Sequence, residues 1–274
     1  MVNKIDSQLY KQLCNVEDIE LELKKYREYD ILYNFSTARK NLYDWFEFYK
    51  KTKLLEIGCE CGALTGFFAS KVESVVAIEA DKEKFEICDY RYKDFENIKV
   101  VNNDLDSFES KERFDYIVMT GTLEEAGIYL SGKNPSERLL KKAKSLLSAD
   151  GLMFVAVSNR MGLAYLGGEV DPKVGKVFKG FSSKNGLFGR KQILNIFEKS
   201  ELEIIDTYYP MPDYRFTSVL YSDDYLPLVG DFHAGNVSFS ENSYKIFDET
   251  SVADLLIESG EFVDYANSFL FLLR

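Results

Sequence analysis

The fold of this chain is decided by one stretch, which reads Leu54-Leu55-Glu56-Ile57-Gly58-Cys59-Glu60-Cys61-Gly62-Ala63-Leu64-Thr65. An apolar strand leads into a turn with two glycines, and the residues that follow have a helical pattern. A Rossmann-type domain places its ligand pocket in this way, at the carboxyl end of its first strand. Gly58 allows the tight turn, Gly62 allows close packing of the helix, and the helix N-terminus offers unpaired N–H groups.

A regular alternation of strands and helices follows this stretch. The predicted strands are Lys53–Ile57, Val75–Glu79, Ile98–Asn102, Tyr116–Met119 and Leu152–Val157, and the predicted helices are Ala63–Lys71, Lys82–Tyr92, Ser136–Leu147 and Arg190–Lys199. Two later strands, Glu203–Tyr209 and Phe216–Tyr221, predict an antiparallel closing hairpin. The expected fold is therefore α/β: a Rossmann-like, mostly parallel seven-stranded sheet with helices on both faces.

The predicted organisation has three segments. Residues 1–50 are charged and helical in pattern, with Leu42, Trp45 and Phe48 at helical spacing, which predicts an N-terminal helical lid or extension. Residues 51–222 form the pocket-bearing domain, with a Gly-rich insertion at about 159–189 of the kind that forms lids or binding loops. Residues 223–274 form a C-terminal extension whose packing the sequence leaves open.

Composition excludes several classes of partner. The 274 residues are 46% hydrophobic, which supports a sizeable core, and their net charge of −11 disfavours nucleic acids and anionic membranes. The four cysteines form no CxxC pair and there is one histidine, so we expect free thiols and no metal site. The N-terminus has no apolar signal core and no run of about 18 apolar residues occurs, which predicts a cytoplasmic protein without membrane insertion.

Four elements lie where a nucleoside-binding sheet needs them. The first is the Gly58 loop, and the second is Glu79, about 20 positions later, where an acidic residue accepts hydrogen bonds from ribose hydroxyls. After the third strand, Asp104 could accept the adenine amino proton while Leu105 packs on the ring. The fourth element, Thr120-Gly121, follows the fourth strand beside the point where ligands bind in open sheets.

Glu60 distinguishes between nucleotide cofactors. A dinucleotide loop needs glycine at this position, because backbone must approach an anionic pyrophosphate that a carboxylate would block and repel. S-adenosylmethionine has no phosphate, and its sulfonium and ammonium groups are cations, so an acidic loop favours it as the cofactor. The predicted cofactor-binding residues are Glu56, Gly58, Cys59, Glu60, Gly62, Glu79, Ala80, Asp104, Leu105, Thr120 and Gly121.

These motifs resemble those of class I S-adenosylmethionine-dependent methyltransferases, whose first motif often reads E-x-G-x-G-x-G and stands here as Glu56-Ile57-Gly58-Cys59-Glu60-Cys61-Gly62. A narrower likeness is to bacterial methyltransferase domains associated with cell-surface polysaccharide biosynthesis. It rests on residues 35–42, 121–127, 159–165 and 208–214 and covers most of residues 30–230. The resemblance implies O-methylation of a sugar or glycan precursor, a small-molecule or glycan acceptor, and association with glycosyltransferase machinery.

The candidate catalytic residues are Glu124, Glu125, Arg160 and Asp213. The two glutamates follow the fourth strand at the methyl end of the cofactor and could accept a proton from a hydroxyl, although they also fit a solvated helix start. Arg160 could orient a polar acceptor or stabilise its loop. Asp213 belongs to an aromatic-walled polar pocket suited to a sugar ring, whose other predicted members are Tyr208, Tyr209 and Tyr214.

Other interpretations depend on two departures from the family pattern. Glu60 replaces the middle glycine, and the acidic-His-x-Gly run of family members reads Asp171-Pro172-Lys173-Val174-Gly175 here, while the single histidine, His233, has the context of an incidental surface residue. These departures favour a catalytically weak or inactive methyltransferase-like binding or assembly module.

An NAD(P)-dependent Rossmann oxidoreductase is a further alternative, which Glu60 opposes. A nucleic-acid base methyltransferase is disfavoured by the charge and by the lack of an Asn/Asp-Pro-Pro-aromatic motif.

Overall fold

The computed structural model describes residues 6–171, 176–178, 186–232 and 245–274. Its strands are β1 (Lys53–Ile57), β2 (Ser74–Glu79), β3 (Ile98–Asn102), β4 (Phe114–Thr120), β5 (Leu147–Ser158), β6 (Val170–Asp171), β7 (Lys176–Val177), β8 (Ile204–Met211), β9 (Val219–Ser222) and β10 (Ser268–Leu273). Its helices are α1 (Ser7–Cys14), α2 (Ile19–Leu23), α3 (Tyr29–Phe35), α4 (Thr65–Lys71), α5 (Lys82–Tyr92), α6 (Thr122–Tyr129), α7 (Pro135–Leu146), α8 (Leu163–Leu166), α9 (Arg190–Lys199), α10 (Glu249–Glu258) and α11 (Phe262–Tyr265).

Within the described ranges, one mixed sheet of eight strands forms the centre, in the order β3-β2-β1-β4-β5-β10-β8-β9. The first five strands are parallel, which confirms the mostly parallel α/β prediction, and β6 pairs with β7 separately. The order reverses between β1 and β4, since the chain runs outward from β1 through β2 to β3 and then crosses to β4. Ligands bind at such a reversal, at the carboxyl ends of the strands.

The prediction of seven strands is wrong, because β10 adds a strand from the tail of the chain. β10 lies between β5 and β8 and is antiparallel to both. Its run Phe269-Leu270-Phe271-Leu272-Leu273 is buried throughout, so it lacks the alternation that identifies a half-exposed strand. The predicted hairpin exists as β8 paired with β9, but Pro210 lies within β8 and the connection spans residues 212–218.

The core has two layers, one on each face of the sheet. Alternate residues of a strand point to opposite faces, so Leu54 packs with α4 and α5 while Leu55 packs with α6, α7 and α9. Helices therefore cover both faces, as predicted. In this arrangement of a sheet between two helical layers, the carboxyl ends of β1, β2 and β4 lie at one rim of the sheet, together with the predicted cofactor residues.

The N-terminal segment lies against α5 and the loop after β1. Tyr10 and Phe35 pack there with Ile87 and Cys61, and Asn34 accepts a hydrogen bond from the Cys61 N–H. The predicted helix through Trp45 and Phe48 is wrong, because helical structure ends with a 3-10 turn over Thr37–Leu42. The aromatic side chains pack on the sheet instead: Phe48 lies 5.7 Å from Phe154, centroid to centroid.

Candidate functional site

The loop after β1 needs glycine at two positions. Gly58 has φ +74°, and a Cβ there would lie 2.6 Å from the Thr122 hydroxyl, which itself donates to the Ile57 carbonyl. Gly62 has φ +81°, and a Cβ there would lie 2.6 Å from the Tyr92 ring of α5. The left-handed backbone and the close approach together exclude larger residues. The sequence-based roles of these two glycines therefore have a geometric basis.

Glu60 takes the left-handed conformation between them, with φ +54°. It is 8% exposed, its backbone N–H donates to Glu79 Oε2 at 2.8 Å, and its carboxylate forms an ion pair with Lys84 of α5. Sequence reasoning identified Glu60 but missed Lys84. No motif marks that lysine, because the pair joins the loop to a helix 24 positions later.

Glu79 ends β2 beneath this loop. One carboxylate oxygen accepts from the Glu60 N–H, and the other accepts from the Asp81 N–H at 2.9 Å. Burial, followed by the charge of Glu60, raises the pKa of Glu79 to about 7. Each oxygen keeps a second lone pair, so the carboxylate can also accept hydrogen bonds from a diol.

A cleft opens at this rim. Of the predicted cofactor residues it is lined by Gly58, Glu60, Glu79, Ala80, Asp104, Leu105, Thr120 and Gly121. The remaining three are not among the residues that line it. Glu56 accepts a hydrogen bond from the Thr65 hydroxyl at 2.6 Å, the Cys59 thiol lies 3.7 Å from that of Cys88, and Gly62 meets Tyr92. The cleft thus has an acidic end at β2 and an apolar wall at Leu105.

Gly121 connects the cleft to a second group of residues. It has φ +80° at the N-terminus of α6, and a Cβ there would lie 2.6 Å from the Tyr214 hydroxyl. Beside it, the Thr120 hydroxyl shares a 2.6 Å hydrogen bond with Tyr43. The segment after β8 therefore reaches the cofactor cleft at the end of β4.

A buried polar cluster surrounds Arg215, which is 5% exposed. Its guanidinium donates to the Asp213 carboxylate at 2.7 Å, to the Ser158 hydroxyl at 3.0 Å and to the Tyr165 hydroxyl at 3.4 Å. Tyr165 donates to Asp171, whose carboxylate lies 4.0 Å from Arg215. Sequence reasoning found Asp213 but not Arg215, although the run Asp213-Tyr214-Arg215 places the two on one short turn.

The two predicted glutamates of α6 have different surroundings. Glu124 Oε1 accepts the backbone N–H of Ser158 at 2.5 Å, so it lies between the cleft and the Arg215 cluster. Glu125 lies on the cleft wall near Tyr129. Arg160 donates its backbone N–H to the Phe188 carbonyl at 3.0 Å, and its Nε is buried without a hydrogen-bond partner among the described residues.

A further carboxyl, Glu169, lies near the Arg215 cluster. Burial, together with the charges of Asp213 and other nearby carboxylates, raises the pKa of Glu169 to about 7. Sequence reasoning missed Glu169 because it lies in the Gly-rich insertion without a motif. The described residues around Arg215 are therefore rich in carboxylates.

The predicted pocket of Tyr208, Tyr209, Asp213 and Tyr214 is wrong as a single unit. Tyr208 lies 4.4 Å from the Trp45 ring, centroid to centroid, and the Tyr209 hydroxyl donates to Asp223. Neighbouring residues of β8 point to opposite faces, so the two tyrosines cannot share one pocket with Asp213 and Tyr214. His233 lies outside the described residues.

Across the described ranges, no group of three or more His, Cys, Asp or Glu side chains has an arrangement that could hold a metal ion. In the same part of the chain, no helix is both long enough and apolar enough to span a membrane. The four cysteines are free thiols.

Residues 55–153 match the family model of a methyltransferase domain. The chain is 28% identical over 120 residues to the ubiquinone biosynthesis O-methyltransferase of Pelagibacter ubique (strain HTCC1062), which covers 43% of this chain and 46% of that protein. It is 38% identical over 66 residues to ribosomal RNA small subunit methyltransferase A of Mesomycoplasma hyopneumoniae (strain 232), with 23% and 25% covered. The chain thus spans between a quarter and half of the length of these relatives.

The solved structure of a TehB-like SAM-dependent methyltransferase from Corynebacterium glutamicum ATCC 13032 is similar in fold. It aligns with a TM-score of 0.50 at 14% identity, covering 93% of this chain and 96% of that one. Residues 55–153 are therefore similar to a methyltransferase domain, and the chain has the fold of this S-adenosylmethionine-dependent methyltransferase. The expected resemblance is confirmed to this extent, and the domain match supports S-adenosylmethionine as the cofactor.

Proposed function

We propose that the chain is an S-adenosylmethionine-dependent methyltransferase that methylates a hydroxyl of a sugar or glycan precursor. The observation that carries the proposal is the close approach of Tyr214 to Gly121, which joins the cofactor cleft to the Arg215 cluster. Methyl transfer needs donor and acceptor in adjoining sites with water excluded. The two adjoining groups of residues meet that need.

The residues of the cleft fit the proposed cofactor. Glu79 would accept hydrogen bonds from the ribose hydroxyls, Asp104 would accept the adenine amino proton, and Leu105 would pack on the ring. Glu60 and Glu79 give that end of the cleft a negative charge, which opposes a pyrophosphate and so weighs against a nicotinamide cofactor. S-adenosylmethionine, when bound, supplies a methyl group already activated for displacement by its sulfonium.

The Arg215 cluster fits a neutral acceptor with several hydroxyls. Among the described residues it combines the carboxylates of Asp213 and Asp171 with the Arg215 guanidinium, so it offers both hydrogen-bond acceptors and donors to a ligand. Asp213 and Arg215 form a rigid ion pair of the kind that positions polar groups, and Tyr165 supplies an aromatic wall. The resemblance to polysaccharide-associated domains makes a sugar the preferred acceptor, and the net charge of −11 weighs against RNA.

Glu124 is the proposed proton acceptor. Its Oε1 accepts the Ser158 N–H, and its Oε2 would take the hydroxyl proton. The acceptor oxygen would bond to the methyl carbon as the bond from that carbon to the sulfonium sulfur breaks, and S-adenosylhomocysteine would be the leaving group. Burial raises the pKa of the Tyr165 phenol in the cluster above its usual range, and the negative charge of Glu124 adds to that rise. Glu125, on the cleft wall, would face the cofactor instead.

Calorimetry with S-adenosylmethionine tests the cofactor assignment. We expect binding by the wild-type chain and affinity at least about tenfold weaker in Glu79→Ala, because a charge-assisted hydrogen bond contributes about 1.5–3 kcal/mol. Glu83→Ala is the matched control, since Glu83 is an exposed residue of the following helix. No binding at millimolar ligand would overturn the enzyme assignment and favour the inactive binding or assembly module.

A transfer assay tests the acceptor. Labelled methyl donor is supplied with a panel of monosaccharides and nucleotide sugars, and a short RNA serves as the competing acceptor. We expect label in a sugar and none in the RNA. Label in the RNA alone would contradict the proposal.

A further inference from the structure

Three charged side chains meet at the acidic end of the cleft. Glu79 lies beneath the loop, Glu60 lies in the loop above it, and Lys84 reaches the Glu60 carboxylate from the first turns of α5. All three are largely shielded from solvent, with 11% of the Glu60 side chain and 21% of the Lys84 side chain exposed. The interaction between these charges is therefore weakly screened.

The backbone of Glu60 fixes which way its carboxylate points. Its N–H is committed to Glu79, and its left-handed φ of +54° is uncommon for a residue with a Cβ. With the backbone anchored, the carboxylate must find a partner on one side of the loop, and Lys84 is there. Without that lysine, the Glu60 carboxylate would lose a cation that offsets its repulsion with Glu79.

We propose that Lys84 is a positioning residue of the nucleoside subsite: it draws the Glu60 carboxylate toward α5 and leaves Glu79 free to accept the ribose hydroxyls. The inference rests on the proposed function, because it takes S-adenosylmethionine as the ligand of the cleft. It also explains how the chain keeps a usable cleft with a carboxylate where related loops have glycine. Lys84 compensates for Glu60.

The charges around Glu79 support a pH-dependent form of this role. Several charged or titratable groups act on Glu79. They are Glu56 of β1, Cys59, Glu60 and Cys61 of the loop after β1, Lys84 of α5 and Tyr129 of α6. Burial and the Glu60 charge raise the pKa of Glu79 to about 7, while Lys84 lowers it. The charged form accepts the hydroxyls more strongly, so affinity should fall as pH drops through this range.

The test is calorimetry with S-adenosylmethionine from pH 5.5 to 8.5 on four proteins: wild type, Lys84→Met, Glu60→Gln and the double variant. We expect Lys84→Met to bind about three- to tenfold more weakly at pH 7 and to lose affinity from a higher pH than wild type. Glu60→Gln should retain affinity to a lower pH than wild type. The double variant should recover most of the loss, because the charge that Lys84 offsets is gone.

Lys82→Met is the matched control. Lys82 lies on the same helix in an exposed pair with Glu86 at 3.8 Å, so its loss should leave the pH profile unchanged. Lys84→Arg should keep the wild-type profile, because it keeps the charge. Melting temperatures of all variants separate a binding effect from a folding effect.

Two results would overturn the inference. One is a Lys84→Met profile that coincides with wild type, and the other is a double variant that binds no better than Lys84→Met. Wild-type protein that fails to bind S-adenosylmethionine at any pH would instead overturn the proposed function, and the inference with it. The two failures are therefore distinguishable.

Discussion

The hydroxyl of Tyr214 lies so close to Gly121 that a single added Cβ would approach it to 2.6 Å. Gly121 lines the proposed cofactor cleft, whereas Tyr214 belongs to the turn that carries Asp213 and Arg215. The contact therefore sets the spacing between the proposed donor and acceptor sites. The contact requires glycine at position 121, because a side chain there would approach Tyr214 too closely and because the residue has φ +80°.

Gly121→Ala should destabilise the protein by about 1–3 kcal/mol, because the left-handed backbone and the contact with Tyr214 both disfavour a side chain. Urea unfolding measures the change. Gly127→Ala is the matched control from the same helix: its Cβ would meet nothing closer than Pro135 at 3.8 Å. There the helix propensity of alanine should stabilise the protein by about 0.5–1 kcal/mol. Equal effects at both positions would contradict this account.

Arg215→Met should cost about 3–5 kcal/mol in unfolding free energy, because it removes a buried cation and leaves the Asp213 carboxylate without its ion-pair partner. Arg138→Met provides the control, since Arg138 pairs with Asp106 on the surface and should contribute about 1 kcal/mol or less. Adding Asp213→Asn to Arg215→Met should recover part of the loss. A loss of unfolding free energy no larger than that of Arg138→Met would show that the Arg215 cation does not stabilise the cluster.

Local sequence patterns predicted the first half of the fold well. Strand β1, strand β3 and helix α5 begin and end at the predicted residues, because alternating βα units have a strong periodic signal. Strand β10 was missed, since a strand buried on both faces has no alternation and its partners lie more than 60 residues earlier in the chain. Its position in the sheet is a property of tertiary packing.

The residues of the candidate site also differ in how well the sequence predicts them. Glycines and strand-end acids such as Gly58 and Glu79 lie on single motifs, so the sequence marks them. Lys84 and Arg215 acquire their roles only through partners on other elements. The predicted aromatic pocket is wrong as a single unit, because Tyr208 and Tyr209 are adjacent in sequence but face opposite sides of the sheet.

Glu56 should make stability depend on pH. It is 4% exposed, and burial raises its pKa from 4.5 in the unfolded chain to about 7, against a lowering by its hydrogen bond from Thr65. The folded state therefore holds a proton that the unfolded state releases. The stability linked to that proton is complete below about pH 4.5 and is lost as pH rises through about 7.

Glu56→Gln should remove this contribution. We expect the variant to match wild type near pH 5 and to exceed it by about 2–3 kcal/mol at pH 8, because glutamine needs no charge buried there. Urea unfolding at pH 5, 6, 7 and 8 measures the difference. Glu73→Gln, an exposed position, should follow the wild-type curve throughout. A Glu56→Gln curve parallel to wild type would contradict the assignment.

Glu124→Gln tests the proposed proton acceptor once a sugar acceptor is in hand. The amide can still accept the Ser158 N–H but cannot take a proton, so kcat should fall by about 10²–10⁴-fold while the Kd for S-adenosylmethionine stays within about twofold. Glu109→Gln, on the exposed surface, is the control. If turnover survives in Glu124→Gln but is lost in Glu125→Gln at saturating cofactor, the proton acceptor is Glu125, and the hydroxyl must approach from the cleft wall, because Glu125 lines the cleft.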